Sequence, residues 1–184
     1  VHYDRCGDDL SRASMTGAGA LTTRTAVPAD VPNLAAIQLA AALAGFAQIF
    51  PESLPKPTQE ALELEWAASV GGDDRSVVAA IEDGELVAGV VFGYFPALAP
   101  AGWGHLAKLY VLPGRSGRGI GGRLHDLAVS ELHSVGYSDL WLWVLEGNTR
   151  ARGMYERRGW KRRRARRTDF PGSGVYEVGY ALQP

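Results

Sequence analysis

One cysteine stands among 184 residues, and no apolar run approaches the roughly 18 residues that a membrane-crossing helix needs. The lone thiol, Cys6, has no partner for an internal disulfide. It lies in a polar opening stretch, where it reads as a free thiol rather than a nucleophile. That opening, VHYDRCGDD, carries charge at once and lacks the apolar core of a secretion signal, so the cytoplasm is the expected compartment. A Walker phosphate loop is missing as well, because no glycine run ends in Gly-Lys-Ser/Thr. Net charge is only −1, but the halves differ: residues 1–100 carry 13 acids and 5 bases, residues 101–184 carry 7 acids and 14 bases. Such asymmetry points the second half toward an anionic partner. The remaining content is that of one globular domain, 46% hydrophobic and 21% charged.

Residues 1–20, rich in Gly, Ser, Ala and Asp, have no periodicity and are expected to form a disordered tail, within which Met15 is a candidate natural start. Residues 21–184 are expected to form a single domain. Strand-forming residues occupy 21–27, followed by an alanine- and leucine-rich helix over 28–46 whose start is marked by Pro28 and Asp30. A proline-punctuated loop leads to a second helix, with Thr58 at its N-cap position. Two β-type runs over 76–95 flank Asp83-Gly84, a hairpin signal. A strand over 104–112 ends at Pro113-Gly114. A helix follows, with Leu124, Leu127, Ala128, Leu132 and Val135 at helical spacing and Gly136 as its stop. A buried strand at 139–146, a short helix from Asn148 or Thr149 to Gly159, and two closing strands complete the order β-α-α-β-β-β-α-β-α-β-β. That order predicts an α/β or α+β fold with a mixed sheet.

The stretch SGRGIGGRL, residues 116–124, sets four glycines at the start of the third long helix. Glycine costs about 1 kcal/mol against alanine inside a helix. The first amides of a helix have no intrahelical partner and sit at the positive end of its dipole. Glycines clear the Cβ atoms that would hold a phosphate away from them, so strand, Pro-Gly, glycine turn and helix together read as an anion cradle. Arg115 and Arg118 add candidate charge-assisted contacts. The string Gly117-x-Gly119-x-x-Gly122 also fits a dinucleotide fingerprint, which calls for an acidic residue ending the next strand about 20 residues on. Asp139 sits at the wrong end of that strand, and Glu146 lies 24 residues past Gly122, directly before a second motif.

LYVLPGRSGRGIGGRL resembles the pyrophosphate signature Gln/Arg-x-x-Gly-x-Gly/Ala of the GNAT superfamily of acyl-CoA-dependent N-acyltransferases, mapping onto Ser116, Gly119 and Gly121. Ser116 departs from the usual Gln or Arg. VLEGNTRARGMYERRGW resembles the family's second motif, mapping onto Asn148, Ala151, Tyr155, Gly159 and Trp160. The resemblance spans roughly residues 21–184. It implies a GNAT fold of class α/β (α+β): a central mixed, mostly antiparallel sheet of six to seven strands, about four flanking helices, and a splay between the fourth and fifth strands.

It also implies acetyl-CoA as co-substrate. The pantetheine arm would lie in the gap between strands 105–112 and 140–145 against Leu109, Tyr110 and Val111, with a backbone N–H of that segment polarising the thioester carbonyl. The pyrophosphate would rest on Ser116, Gly117, Arg118, Gly119, Ile120, Gly121 and Gly122, with Arg115 alongside, while Asn148 and Ala151 would flank the cofactor. Tyr155 would protonate the departing thiolate. His105 falls where a catalytic glutamate sits in one branch of the family and is a candidate base; the alternative is a strand-start residue pointing to solvent. Glu146 is a second candidate base, or else a carboxylate solvated at a strand end. No step calls for a metal. The function implied is transfer of acetyl to an amine by direct attack in a ternary complex; the alternative is a non-catalytic acyl-CoA sensor. The amine site is expected from residues 46–57 and the last two strands, and a homodimer is carried over from the family.

The run KRRRARR, 161–167, could bind nucleic acid. On a strand its side chains alternate faces, so it reads instead as a solvated strand. Phe46, Ile49 and Phe50, with Trp66, Trp103, Trp141 and Trp143, read as packing residues.

Overall fold

The computed structural model describes residues 20–45 and 48–184, so the expected tail with Cys6 and Met15, and Phe46, lie outside the described residues. Seven strands form one sheet: β1 (Leu21–Thr25), β2 (Arg75–Glu82), β3 (Glu85–Gly93), β4 (Gly104–Val111), β5 (Leu140–Leu145), β6 (Lys161–Arg167) and β7 (Glu177–Leu182). Their spatial order is β1-β2-β3-β4-β5-β7-β6. Every pairing is antiparallel except β4–β5. Four helices flank the sheet: α1 (Val31–Gly45), α2 (Gln59–Val70), α3 (Ile120–Ser134) and α4 (Thr149–Arg157).

Local chemistry explains most boundaries. Asp83 and Gly84 both have positive φ, 54° and 82°, the conformation of a two-residue hairpin turn whose twist matches its strands. The Thr58 side chain accepts from the Ala61 amide and starts α2. Pro28–Asp30 form a separate 3-10 turn rather than the first turn of the long helix, because Asp30 is already committed. Its carboxylate accepts from both Arg24 Nη atoms at 2.6 and 2.8 Å and from the Val27 amide at 2.8 Å.

The sheet separates two apolar layers. On one face Leu124, Ala128 and Leu132 of α3 meet Leu106, Leu140, Leu142 and Tyr180. On the other, Leu34, Ala35, Leu62 and Trp66 of α1 and α2 cover Val77, Ala79 and Val91. The strand alternation thus feeds two cores rather than one core and a wet face.

Asp30 yields a stability prediction with a defined pH window. The Arg24 hydrogen bonds, more than the opposing burial, hold its carboxyl below the usual range. A depressed folded-state pKa contributes stability that is present above the unfolded value, near pH 4, and lost as pH falls through the folded one. Arg24 is about half exposed, so screening limits the pair to about 1 kcal/mol. Asp30→Asn is expected to lose about that much in urea melts at pH 7 and to converge with the native chain in acid. Equal stability at pH 7 would show that the turn forms without the charge.

Candidate active site

β4 and β5 pair in parallel only at Gly104–Leu140, His105–Trp141 and Leu106–Leu142. Beyond Leu106 the strands part, so the β4 edge through Leu109, Tyr110 and Val111 faces a gap instead of a neighbour. On its other side β4 pairs with β3, with a register shift that leaves Ala107 unmatched. A bulge of this kind bends the strand.

The glycine turn lies just past the open end of β4. Gly117 and Gly119 have φ of 87° and 84°, which glycine adopts without strain. Gly119 is the N-cap of α3, and no side chain caps the helix. A Cβ built on Gly119 meets no atom within 4 Å. The space beside Gly119, where α3 begins without a side-chain cap, is therefore clear, the arrangement an anion requires.

Arginines surround this turn. Arg115 and Arg118 reach Glu82 Oε2 at 2.7 and 2.9 Å, and Glu82 is only 4% exposed at the end of β2. Arg150 of α4 comes within 3.6 Å of a Cβ built on Gly117. The Arg158 guanidinium fills the space where a Gly122 side chain would be and donates to Asp126 at 2.8 Å. Glu82 and Arg150 were not singled out from sequence. Glu82 lies more than 30 residues from the arginines it binds, and Arg150 holds a variable position in its motif, so neither carries a local signal.

α4 buries Tyr155 in the core layer that holds α3. Asn148 caps the helix by accepting from the Ala151 amide at 3.1 Å. Arg152 ties it down through the Glu146 carbonyl at 2.8 Å and the Tyr180 hydroxyl at 3.1 Å, and that hydroxyl donates to Glu156 at 2.6 Å. Tyr155 is 6% exposed, its ring 5.9 Å from His125 and 6.1 Å from Trp160. Behind it Trp160 Nε1 donates to His125 Nε2 at 2.8 Å. Burial pushes the Tyr155 phenol above its ordinary pKa, and the Tyr110 phenol adds a smaller push the same way. The motif residues Tyr155 and Trp160 therefore share one packed corner, and the exposed Gly159, at φ 87°, turns the chain just before Trp160.

The two candidate bases meet different environments. His105 is 2% exposed, not solvent-facing, with its ring 5.3 Å from Phe95. Its Nδ1 has no hydrogen-bond partner among the described residues. Burial, then the charge of Arg167, lowers its pKa to about 3, so the imidazole is neutral at pH 7. Glu146 has both oxygens engaged: Oε1 by Arg162 at 2.7 Å and Oε2 by Arg166 at 2.7 Å. Arg166, then Arg162, holds its carboxyl below the usual range. Two cations of the basic run are thus consumed by one acid, and Arg166 also stacks 3.5 Å from the Tyr176 ring.

A cavity of about 430 Å³ opens at the end of β5, lined by Gln48, Ile49, Glu146, Asn148, Arg150 and Tyr176 among others. The ring of Phe50 meets that of Phe170 edge-on at 5.2 Å, so the α1–α2 loop touches the β6–β7 loop. On the same side of the gap Glu177, opposite Leu145 on β5, binds Arg167, whose guanidinium lies 4.9 Å over Trp143.

An uncapped helix start set beside a split sheet, with a buried phenol on α4, defines an α/β domain whose central strands part. The profile described as the acetyltransferase (GNAT) family matches residues 39–160, and the chain belongs to that family. It is similar to the probable N-acetyltransferase Rv2775 of Mycobacterium tuberculosis, 42% identical over 76 residues, a match covering 40% of this chain and 42% of that protein. Among solved structures it resembles the PaiA N-acetyltransferase of Thermoplasma acidophilum in complex with coenzyme A (TM-score 0.69, 20% identity, 89% of this chain and 99% of that one). It also resembles the ribosomal-protein-alanine N-acetyltransferase of Brucella melitensis (TM-score 0.69, 20% identity, 88% and 99%). These likenesses carry the fold: a mixed seven-stranded sheet, four helices and a β4–β5 splay. Among the described residues no helix is long and apolar enough to cross a membrane.

Proposed function

We propose that the chain moves an acetyl group from acetyl-CoA to an amine by direct attack within a ternary complex. The observation that supports this most is the uncapped start of α3 bordering clear space at Gly119, immediately beside the unpaired edge of β4. The turn fits a diphosphate, because amides at a helix start and flanking arginines are its natural donors. Gly117 through Gly122 supply the amides, since the Ser116 amide already donates to the Pro113 carbonyl at 3.1 Å, and Arg115, Arg118 and Arg150 supply charge. The edge at Leu109–Val111 matches an amide-bearing arm as an added strand would. Acetyl-CoA, when bound, supplies the activated carbonyl.

The chain's own part is orientation, exclusion of water and proton movement. Tyr155 keeps its proton at working pH because burial raises its pKa, and it serves as the acid toward the leaving sulfur. An alkylamine, with a pKa near 10.4, arrives as ammonium and has to lose a proton before attack. His105, with a pKa near 3, and Glu146, held by two arginines, are both poor acceptors for that proton at pH 7. The structural neighbour named a ribosomal-protein-alanine N-acetyltransferase brings a peptide α-amine into the set to be tried.

The test is thiol release from acetyl-CoA with spermidine, L-alanine and an alanine-terminated hexapeptide. Amine-dependent release with an acetylated product by mass is expected for at least one. Tight acetyl-CoA binding without any turnover would instead establish the sensor reading.

A further inference from the structure

The side of the gap facing α1 and α2 holds a carboxylate that the motifs do not include. Glu177 begins β7, paired in register with Leu145 on β5 and Arg167 on β6. Arg167 contacts it twice, through Nε at 2.7 Å and Nη2 at 2.6 Å, and both contacts fall on Oε2. Oε1 has no hydrogen bond among the described residues, and it is not among the sealed, unpartnered atoms. Glu146 offers the contrast, with a separate arginine on each oxygen. One acid is thus spent on structure, while the other is anchored by one oxygen and open at the other.

We propose that Glu177, through Oε1, receives the acceptor's ammonium group and takes its proton, an assignment that rests on the acetyl-transfer reading above. The surroundings fit a primary ammonium. Trp143 lies beneath Arg167 and fixes its guanidinium, which holds Oε2 in place. The Tyr110 phenol, on the unpaired stretch of β4, lies within electrostatic reach of Glu177 and of Glu65 on α2. Tyr110 in turn acts on Tyr155, so its phenol stands within electrostatic reach of both the carboxylate and the acid. The charged groups acting on Glu177 are Arg167 of β6 and Asp169 beyond it. Burial outweighs Arg167 and raises the Glu177 carboxyl above its ordinary pKa, the direction a proton acceptor needs and opposite to that at Glu146.

The steps balance. An N–H bond of the ammonium breaks and its proton passes to Oε1, which frees the nitrogen lone pair. The C–N bond forms at the thioester carbonyl. The C–S bond then breaks, with its electron pair leaving on sulfur. Tyr155 gives its proton to that sulfur and recovers one from the acylated nitrogen, and the proton on Glu177 returns to solvent.

The experiment compares the native protein with Glu177→Gln and Glu177→Asp, using whichever of spermidine, L-alanine and the hexapeptide turns over fastest. The acetyl-CoA Kd is measured by calorimetry alongside. Expected for Glu177→Gln are a native Kd, a fall in kcat/KM of about 100-fold or more, and loss of the acidic limb of the pH profile, with Glu177→Asp partly restoring both. A second measurement needs no acceptor. With carboxyl-13C-glutamate labelling and coenzyme A bound, Glu177 is expected to titrate above Glu146. Native kcat/KM with an unmoved acidic limb in Glu177→Gln, or Glu177 titrating at or below Glu146, overturns the proposal while acetyl transfer stands. Absence of turnover by the native protein with all three amines overturns the transfer reading and this assignment with it.

Discussion

Tyr155→Phe is expected to lower kcat by about 10²–10⁴-fold and to leave the acetyl-CoA Kd unchanged. The substitution removes one oxygen and keeps the ring. The aromatic packing against His125 at 5.9 Å and Trp160 at 6.1 Å is therefore preserved, and so is the corner that holds α4. No hydrogen bond from the Tyr155 hydroxyl to another described residue competes with a role toward a ligand. The raised pKa keeps the phenol protonated across the working range. A free thiol has a pKa near 8.5, so proton transfer from an ordinary phenol to a thiolate runs uphill. The same dry surroundings that raise the phenol also raise a thiol bound beside it, which offsets the phenol's own rise. Single-turnover kinetics under acetyl-CoA saturation isolates the chemical step. An unchanged rate there removes Tyr155 from the proton inventory; a parallel rise in Kd would make it a binding residue instead.

The parts legible in the sequence are those written by local chemistry. Asp83-Gly84 announced its hairpin because few residue pairs tolerate two successive positive φ values. Thr58 announced α2 through its own hydroxyl. The two glycine- and tyrosine-bearing motifs sit where a strand ends and a helix begins, so their spacing survives folding intact. Unwritten locally was everything that joins distant segments. β7 inserts between β5 and β6, and the β6–β7 register slips between Arg162 and Arg166, so no alternation rule assigns each arginine its partner. The basic run, read as a solvated strand, splits into separate pairings: Arg162 and Arg166 on Glu146, Arg167 on Glu177. The charge imbalance between halves dissolves in part for the same reason, since Glu82 from the acidic half answers two arginines of the basic half. Glu177 was missed because its one free oxygen is a property of register and burial, not of spacing.

Gly119→Val carries the other large expected effect: acetyl-CoA affinity is expected to fall by about 100-fold or more, since several charge-assisted contacts to one diphosphate are lost together. Two physical causes combine. At φ 84° a side chain strains the backbone, by roughly 1–2 kcal/mol for an L-residue in this region and more when β-branched. The added carbons also stand where no protein atom lies within 4 Å, which is the space an anion over the α3 amides would take. Gly119→Ala separates these causes, because it brings the strain with a single carbon and is expected to fall between the native chain and the valine variant. Thermal melts without ligand report the strain alone, and calorimetry with coenzyme A reports the obstruction. If the valine variant melts lower yet binds coenzyme A with native affinity, the diphosphate does not sit on this turn. The arginines around it, from Arg115 to Arg150, would then be surface charge gathered about Glu82 rather than a cradle.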